Sequence, residues 1–354
     1  MTNDLRGALV QEPQGAIQLH PVLKLIRDRV ANSSKPGERR DNFKLGLAIE
    51  GGGMRGVVSC GMAAALSFLG AANAFDAVYG ASAGALTGSF FVTGKMPLGP
   101  TIFYQDINNS QFISWSRIIS QRPVMDLGFL LDHVLTNVKP LNWEGLLGST
   151  IPLKIVVASL DAGESRLLSE FSNRAELFTA LRASATIPYV AGPPIPYQGD
   201  LLFDASLFEP LPYQSALKDG CTHVMVLASR PKGQLRVPPS RLERFLLEKR
   251  LRLLSHRAAD AYLHRADDYR QAVKQIESAT TDPDLAPFIF GVQPKASDDE
   301  VSQLEKNRDL LLKGAASGIA AVMGIFAPGE SIRCVEVLTP VNTLGIIPKI
   351  RFFE

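Results

Sequence analysis

Ser82 stands between two glycines, each two residues away, in Gly80-Ala81-Ser82-Ala83-Gly84. The pentad follows the apolar run Ala77-Val78-Tyr79 and opens the small-residue run Ala85-Leu86-Thr87-Gly88-Ser89-Phe90-Phe91. That pattern reads as strand, sharp turn, helix. In such a turn a serine is lifted above the end of the sheet, and the following helix points its N-terminus at it. The glycines Gly80 and Gly84 have a mechanical reason, because strand and helix pass too close there for side chains. A serine presented this way is a nucleophile for acyl transfer. A small-residue turn that merely contains serine has the same spelling, so the neighbouring segments decide.

The first neighbour lies upstream. Phe43 to Glu50 reads as a buried strand and runs into Gly51-Gly52-Gly53-Met54-Arg55-Gly56, and Val57 to Gly70 has helical spacing. Strand, glycine loop, helix presents free N–H groups to an anion. If both loops sit at the carboxyl edge of adjacent parallel strands, nucleophile and donors share one crevice. Acyl transfer needs that pairing, because attack on the carbonyl creates an oxyanion. Arg55 either adds positive charge near that oxyanion or braces the loop through an ion pair. Glu50 reads as a structural strand-end residue. The loop also spells Gly-x-Gly-x-x-Gly, which keeps a nucleotide-binding protein as an alternative. Against it, Asp76 precedes its strand, where a ribose-binding acid would have to follow it.

The second neighbour is Asp204. It follows the short apolar strand Leu201-Leu202-Phe203 and precedes the turn Ala205-Ser206. An acid at a sheet edge can serve as a base, and an aspartate can equally cap such a turn. A serine–aspartate–histidine triad would need His223, His256 or His264 to reach Ser82. His223 falls in the strand Thr222 to Ala228, and the other two fall on a charged helix.

The elements that must position these residues alternate. Strands are expected at 43–50, 77–79, 152–159, 201–203 and 222–228, with helices at 57–70, 177–183 and over Ile102 to Phe112 and Val124 to Val138. Pro193 to Pro196 reads as a stiff loop, and Trp115 and Trp143 as packing residues. Residues 1–42 form an arm with a helix at Pro21 to Val30. The main domain spans 43–230, and 231–354 is a helical extension packed on it. In that extension Arg241 to Ile276 is helical, with nine Lys/Arg against five Asp/Glu through Lys274. Leu242, Phe245, Leu246, Leu251, Leu253 and Leu254 give it an apolar face. It reads as an amphipathic cover with a basic outer face, or as a contact for anionic lipid headgroups. Phe288 to Phe290, Val301 to Leu312 and Arg333 to Leu338 close the domain.

Composition bounds the partners. The chain has 354 residues, 46% of them hydrophobic, enough for a large core. The net charge of +2 gives no global field for nucleic acid. Cys60, Cys221 and Cys334 are scattered without metal spacing, which favours a reducing, cytoplasmic setting and no disulfide framework, and no metal-ligand cluster is visible. Met1 to Gly15 lacks the apolar segment of a signal peptide. The apolar stretch Gly314 to Ala327 is short for a membrane span, so any membrane contact is expected to be peripheral. The oligomeric state is open.

Taken together, the loop Gly51–Gly56, the pentad Gly80–Gly84, the block Arg182-Ala183-Ser184-Ala185-Thr186-Ile187-Pro188 and Asp204-Ala205-Ser206 resemble the patatin-like phospholipase family over roughly residues 45–217. The last motif departs from the family's Asp-Gly-Gly or Asp-Gly-Ala in carrying Ala205 and Ser206. The resemblance implies a three-layer αβα fold with a central, mostly parallel sheet. It also implies a serine lipid acyl hydrolase acting on phospholipids or other glycerolipids. Ser82 would be the nucleophile and Asp204 the base of a dyad. Backbone N–H groups around Gly52, Gly53 and Ala83 would hold the oxyanion, with no cofactor. A catalytically inactive lipid-binding relative is the alternative within the family. Free aspartate, with a pKa of ~3.9, is a poor base at neutral pH. Burial among Leu201, Leu202, Phe203 and Phe208 would raise it.

Overall fold

The computed structural model describes residues 19–241 and 244–328. Residues 1–18 of the expected arm, Leu242, the Leu246 side chain, Cys334 and the segment 333–338 lie outside the described residues. The strands are β1 (Leu45–Ile49), β2 (Ala77–Ala81), β3 (Leu153–Ser159), β4 (Glu164–Leu168), β5 (Ile195–Tyr197), β6 (Asp200–Asp204), β7 (His223–Leu227) and β8 (Phe288–Val292). They form one sheet in the order β5-β6-β3-β2-β1-β7-β8, with β4 on β3. Pairing is parallel from β3 through β8 and antiparallel where β4, β5 and β6 join.

The main helices are α1 (Pro21–Ala31), α2 (Gly56–Phe68), α3 (Ala83–Val92), α4 (Phe129–Val138), α5 (Arg174–Ala185), α6 (His256–Thr281) and α7 (Arg308–Phe326). Successive strand residues point to opposite faces, and the central strands are buried on both. Leu45, Leu47, Ile49, Val78, Met225 and Leu227 share a core with α2, α3 and α7. Ala48, Tyr79, Val224 and Val226 share the other core with Tyr269, Val273 and Ile276 of α6. The result is the expected three-layer, mostly parallel α/β architecture.

The sheet crosses residue 230. β8 pairs in parallel with β7, and α7 packs on α2 where glycines let the helices touch. A Cβ on Gly61 would meet the Ala315 carbonyl oxygen at 2.3 Å, and one on Gly318 would meet that of Val58 at 2.0 Å. By length and composition α7 could cross a membrane, contrary to the sequence reading. Here Gly314, Ala315, Gly318, Ile319, Val322 and Met323 are buried.

Other differences from expectation have local causes. The helix expected at 102–112 ends at Asp106, and the one at 124–138 starts only at Leu127, because Met125 bridges Ile113. Pro193-Pro194-Ile195-Pro196 contributes edge strand β5, the sheet position that tolerates proline. Trp115 is 61% exposed, while Trp143 packs on Phe178. The stretch 241–281 breaks at Ser255, and of its expected apolar face Leu251 is buried while Phe245 and Leu253 are 79% and 81% exposed. α1 is tethered by the buried Arg29, which pairs with Asp41 and Asp76 at 2.7 Å each.

Candidate active site

Ser82 sits at φ 55°, ψ −125°, a backbone state that a residue with a side chain adopts only when its surroundings impose it. A Cβ on Gly80 would lie 2.4 Å from Ala85 Cα, and one on Gly84 would lie 2.1 Å from the Ile49 carbonyl oxygen. The glycine spacing therefore follows from β2, α3 and β1 meeting at the turn. The Ser82 N–H donates to Ser184 Oγ at 2.9 Å, and the Ser184 hydroxyl donates to the Val156 carbonyl at 2.7 Å. One buried serine at the end of α5 thus fastens the turn to β3. α3 starts at Ala83, so its unpaired first-turn N–H groups and positive dipole end face Ser82.

β1 and β2 are parallel, with Ile49 opposite Gly80, so the Gly51–Gly56 loop and the Ser82 turn leave the same sheet edge. A Cβ on Gly51 would meet Ala81 O at 2.4 Å and Ser82 Cβ at 2.5 Å, and one on Gly56 would meet Ala83 Cβ at 2.5 Å. Only glycine lets the loop lie this close to the serine. Gly52 and Gly53 have positive φ, 134° and 59°. Among the described residues the N–H groups of Gly51 and Gly52 donate to no protein acceptor, which leaves them open to an anion. Arg55 is buried, and its Nε donates to Ser229 Oγ at 3.1 Å. Ser229 in turn donates its N–H and hydroxyl to Glu50. Burial, and then the charge of Arg230, hold the Arg55 pKa below its usual value. Arg55 braces the loop and Glu50 is structural.

The register explains how Asp204 reaches Ser82. On β3, Ile155 and Val156 pair with both β2 and β4, and Val157 to Ser159 pair with both β4 and β6. A strand has two edges. β4 therefore runs along one edge of β3, and β2 and β6 meet end to end along the other. Ala81 pairs with Val156 and Asp204 with Val157, so the C-terminal ends of two oppositely directed strands place Ser82 beside Asp204. The Asp204 N–H donates to Thr186 O at 2.9 Å, and Asp204 Oδ1 accepts the Ser206 N–H at 2.8 Å. Oδ2 is buried without a well-formed hydrogen bond. Burial raises the Asp204 pKa, and the Ser82 hydroxyl, Ser206 and the charge of Arg236 partly offset the rise. The Ser82 hydroxyl is thus close enough to act on the carboxylate, in a resting geometry looser than a formed bond.

Ser82 lies where two cavities meet. One is apolar, walled by Leu86, Phe90, Phe103, Phe112, Leu130 and Ile187. The other is more polar and lined by Gly51, Gly52, Arg55, Arg230 and Arg236.

Other candidates lie elsewhere. His223 is buried at the opposite, N-terminal end of β7, opposite Leu45, between the rings of Phe43 and Phe288. Burial, then the Arg29 charge, lowers its pKa to about 4. His256 and His264 are exposed on α6. Asp76 is also at the far edge, where its carboxylate is occupied by Arg29, Arg39 and the Leu45 N–H, so it could not serve a nucleotide in the glycine loop. Ser184, Arg230 and Arg236 were not singled out from sequence. The block Arg182–Pro188 drew attention without a role for Ser184, and nothing in the spacing of the two arginines points to Ser82.

The family model described as patatin-like phospholipase matches residues 47–217. Among curated proteins, the uncharacterized protein YjjU of Escherichia coli (strain K12) is 22% identical over 250 residues, which cover 66% of this chain and 65% of that relative. The matched region therefore spans just under two thirds of its length.

Proposed function

We propose, on the match of residues 47–217 to the patatin-like phospholipase family, that the protein is a serine hydrolase of lipid carboxylic esters, phospholipids or other glycerolipids. Ser82 Oγ attacks the ester carbonyl carbon while Asp204 Oδ2 takes its proton. The N–H groups around Gly52, Gly53 and Ala83 receive the oxyanion. The tetrahedral adduct collapses, the C–O bond to the alcohol breaks, and Asp204 returns the proton to the departing oxygen. Water then attacks the acyl-Ser82 ester with Asp204 as base, releasing the fatty acid and restoring Ser82. The apolar cavity takes the acyl chain.

The observation that carries this reading is the open, buried Oδ2 of Asp204 beside a serine held in a strained turn. The raised pKa of Asp204 supports its role as base. Buried Cys60 and Cys221 fit a reducing, cytoplasmic setting. The exposed Phe245 and Leu253 beside Arg250 and Arg252 support peripheral contact with an anionic membrane.

The test is acyl release from a p-nitrophenyl ester and from phospholipid vesicles by wild type, Ser82→Ala and Asp204→Asn. Loss of turnover in both variants, with folding intact, is expected. Activity that survives Asp204→Asn would move the base elsewhere. Vesicle binding without turnover in wild type would favour a non-catalytic lipid-binding protein.

A further inference from the structure

The polar cavity beside Ser82 gathers several guanidinium groups. Arg55, Arg230 and Arg236 all line it. Three carboxylates face them: Glu50, Glu300 and Asp204, whose charge acts on Arg236. Glu50 is engaged by the N–H and hydroxyl of Ser229. Glu300 is paired with Arg230 and lies 3.9 Å from Arg55. Among the described residues Arg236 makes no ion pair, and its Nη1 donates to the Ser206 carbonyl at 3.1 Å. Nε of Arg230 is buried with no hydrogen-bond partner, and its guanidinium stacks on Tyr269. Burial and the neighbouring charges of Arg265, Arg55 and Arg230 lower the Arg236 pKa to about 10. Gathering guanidinium groups in a partly buried cleft is costly unless an anion completes the set. Arginine's planar fork matches phosphate oxygens.

This cluster is not part of the oxyanion machinery. Arg230 and Arg236 come from the chain beyond residue 217, outside the family match. Yet they share a cavity with Ser82, Gly51 and Gly52. In a glycerophospholipid the phosphate is a few bonds from the ester carbonyl, so an ester on Ser82 brings its phosphate into this cavity. A zwitterionic headgroup also brings a cationic ammonium; Glu50 and Glu300 are already engaged, and Asp204 is held by Ser206 and faces Ser82 and Arg236.

Building on the hydrolase reading, we infer that Arg230 and Arg236, with Arg55, form a phosphate subsite that selects lipid esters whose headgroup is net anionic over zwitterionic or uncharged ones. The acyl chain lies in the apolar cavity, the carbonyl at Ser82 and the phosphate among the three arginines. Arg236 is a specificity residue that acts mainly on substrate affinity.

The experiment uses the full chain and short-chain lipids below their micelle concentrations, so that surface binding does not enter. Dihexanoyl phosphatidic acid, dihexanoyl phosphatidylcholine, dihexanoylglycerol and p-nitrophenyl hexanoate are compared in wild type, Arg236→Gln and Arg236→Lys. Wild type is expected to prefer phosphatidic acid over phosphatidylcholine by at least about tenfold in kcat/KM. Arg236→Gln brings that ratio close to one, mostly through KM, and Arg236→Lys restores part of it. A ratio unchanged by Arg236→Gln, or wild-type preference for phosphatidylcholine or dihexanoylglycerol, overturns the inference.

Binding of the ether analogue dihexyl phosphatidic acid, measured by calorimetry, separates this inference from the hydrolase reading. If no ester is turned over, binding weakened about tenfold or more by Arg236→Gln still supports the subsite, and equal binding overturns it. Inorganic phosphate is titrated alongside. If it binds as tightly as the ether lipid, is lost in Arg236→Gln, and no lipid preference is seen, the pocket holds a free anion and the lipid assignment fails.

Discussion

Ser184→Ala isolates the device that holds the Ser82 turn. The Ser184 hydroxyl is fully buried and does two things at once, accepting the Ser82 N–H at 2.9 Å and donating to the Val156 carbonyl at 2.7 Å. Alanine fits the same space and leaves one buried donor and one buried acceptor unpaired. Each unsatisfied group costs about 1–3 kcal/mol, so the variant should lose about 2–4 kcal/mol of stability if a trapped water relieves part of the cost. The effect on rate is separate. Ser82 is held at φ 55°, and without its tie to β3 the turn can relax toward ordinary backbone angles. A displacement of the hydroxyl by a fraction of an ångström is expected to lower kcat by about 10- to 100-fold. The assays are a urea denaturation midpoint and kcat on a p-nitrophenyl ester, both against wild type. The reasoning is refuted if both are unchanged, because the two hydrogen bonds would then neither stabilise the fold nor hold the turn.

Gly84→Ala places a Cβ 2.1 Å from the Ile49 carbonyl oxygen. It should cost at least about 3 kcal/mol by thermal or urea unfolding, whereas Gly324→Ala, in open space on α7, should stabilise by about 0.5–1 kcal/mol. Asp204 has a raised folded pKa, so its neutral form favours the fold, and that stability is lost as pH rises through the folded pKa. Asp204→Asn should therefore unfold later than wild type at neutral pH, with the gap closing toward pH ~4. The activity of wild type should fall as pH drops through the same raised pKa. Arg29→Met leaves Asp41 without its ion-pair partner, while Asp76 keeps Arg39 and the Leu45 N–H, and should cost about 2–4 kcal/mol, read as faster proteolysis of the segment joining α1 to β1.

The sequence made the chemistry legible where it constrains the backbone. Gly51, Gly53, Gly56, Gly80 and Gly84 are each required by a contact too close for a side chain, and Gly52 by its positive φ, so their spacing survives in the text of the chain. The parallel register that brings the two loops together follows from the alternation of strands and helices. Asp204 was visible as a strand-end acid, but its neighbour was not. The end-to-end meeting of β2 and β6 depends on β4 occupying the other edge of β3, and the half-exposed β4 carries no strong pattern.

Ser184 was hidden because a buried serine at a helix end leaves no periodic signal. Arg230 and Arg236 reach the site from the irregular loop after β7, ahead of the basic helical stretch, and no motif or periodicity marks them. Trp115, Phe245 and Leu253 were misread for the opposite reason. Hydrophobic type predicts burial on average, and these side chains face solvent.

The central claim is that acyl transfer passes through Ser82. The most direct measurement is to quench the protein during turnover of an activated ester and map the acyl adduct by peptide mass spectrometry. The account predicts an adduct on the peptide carrying Ser82, absent in Ser82→Ala. An adduct on another residue, or continued turnover by Ser82→Ala, would contradict it.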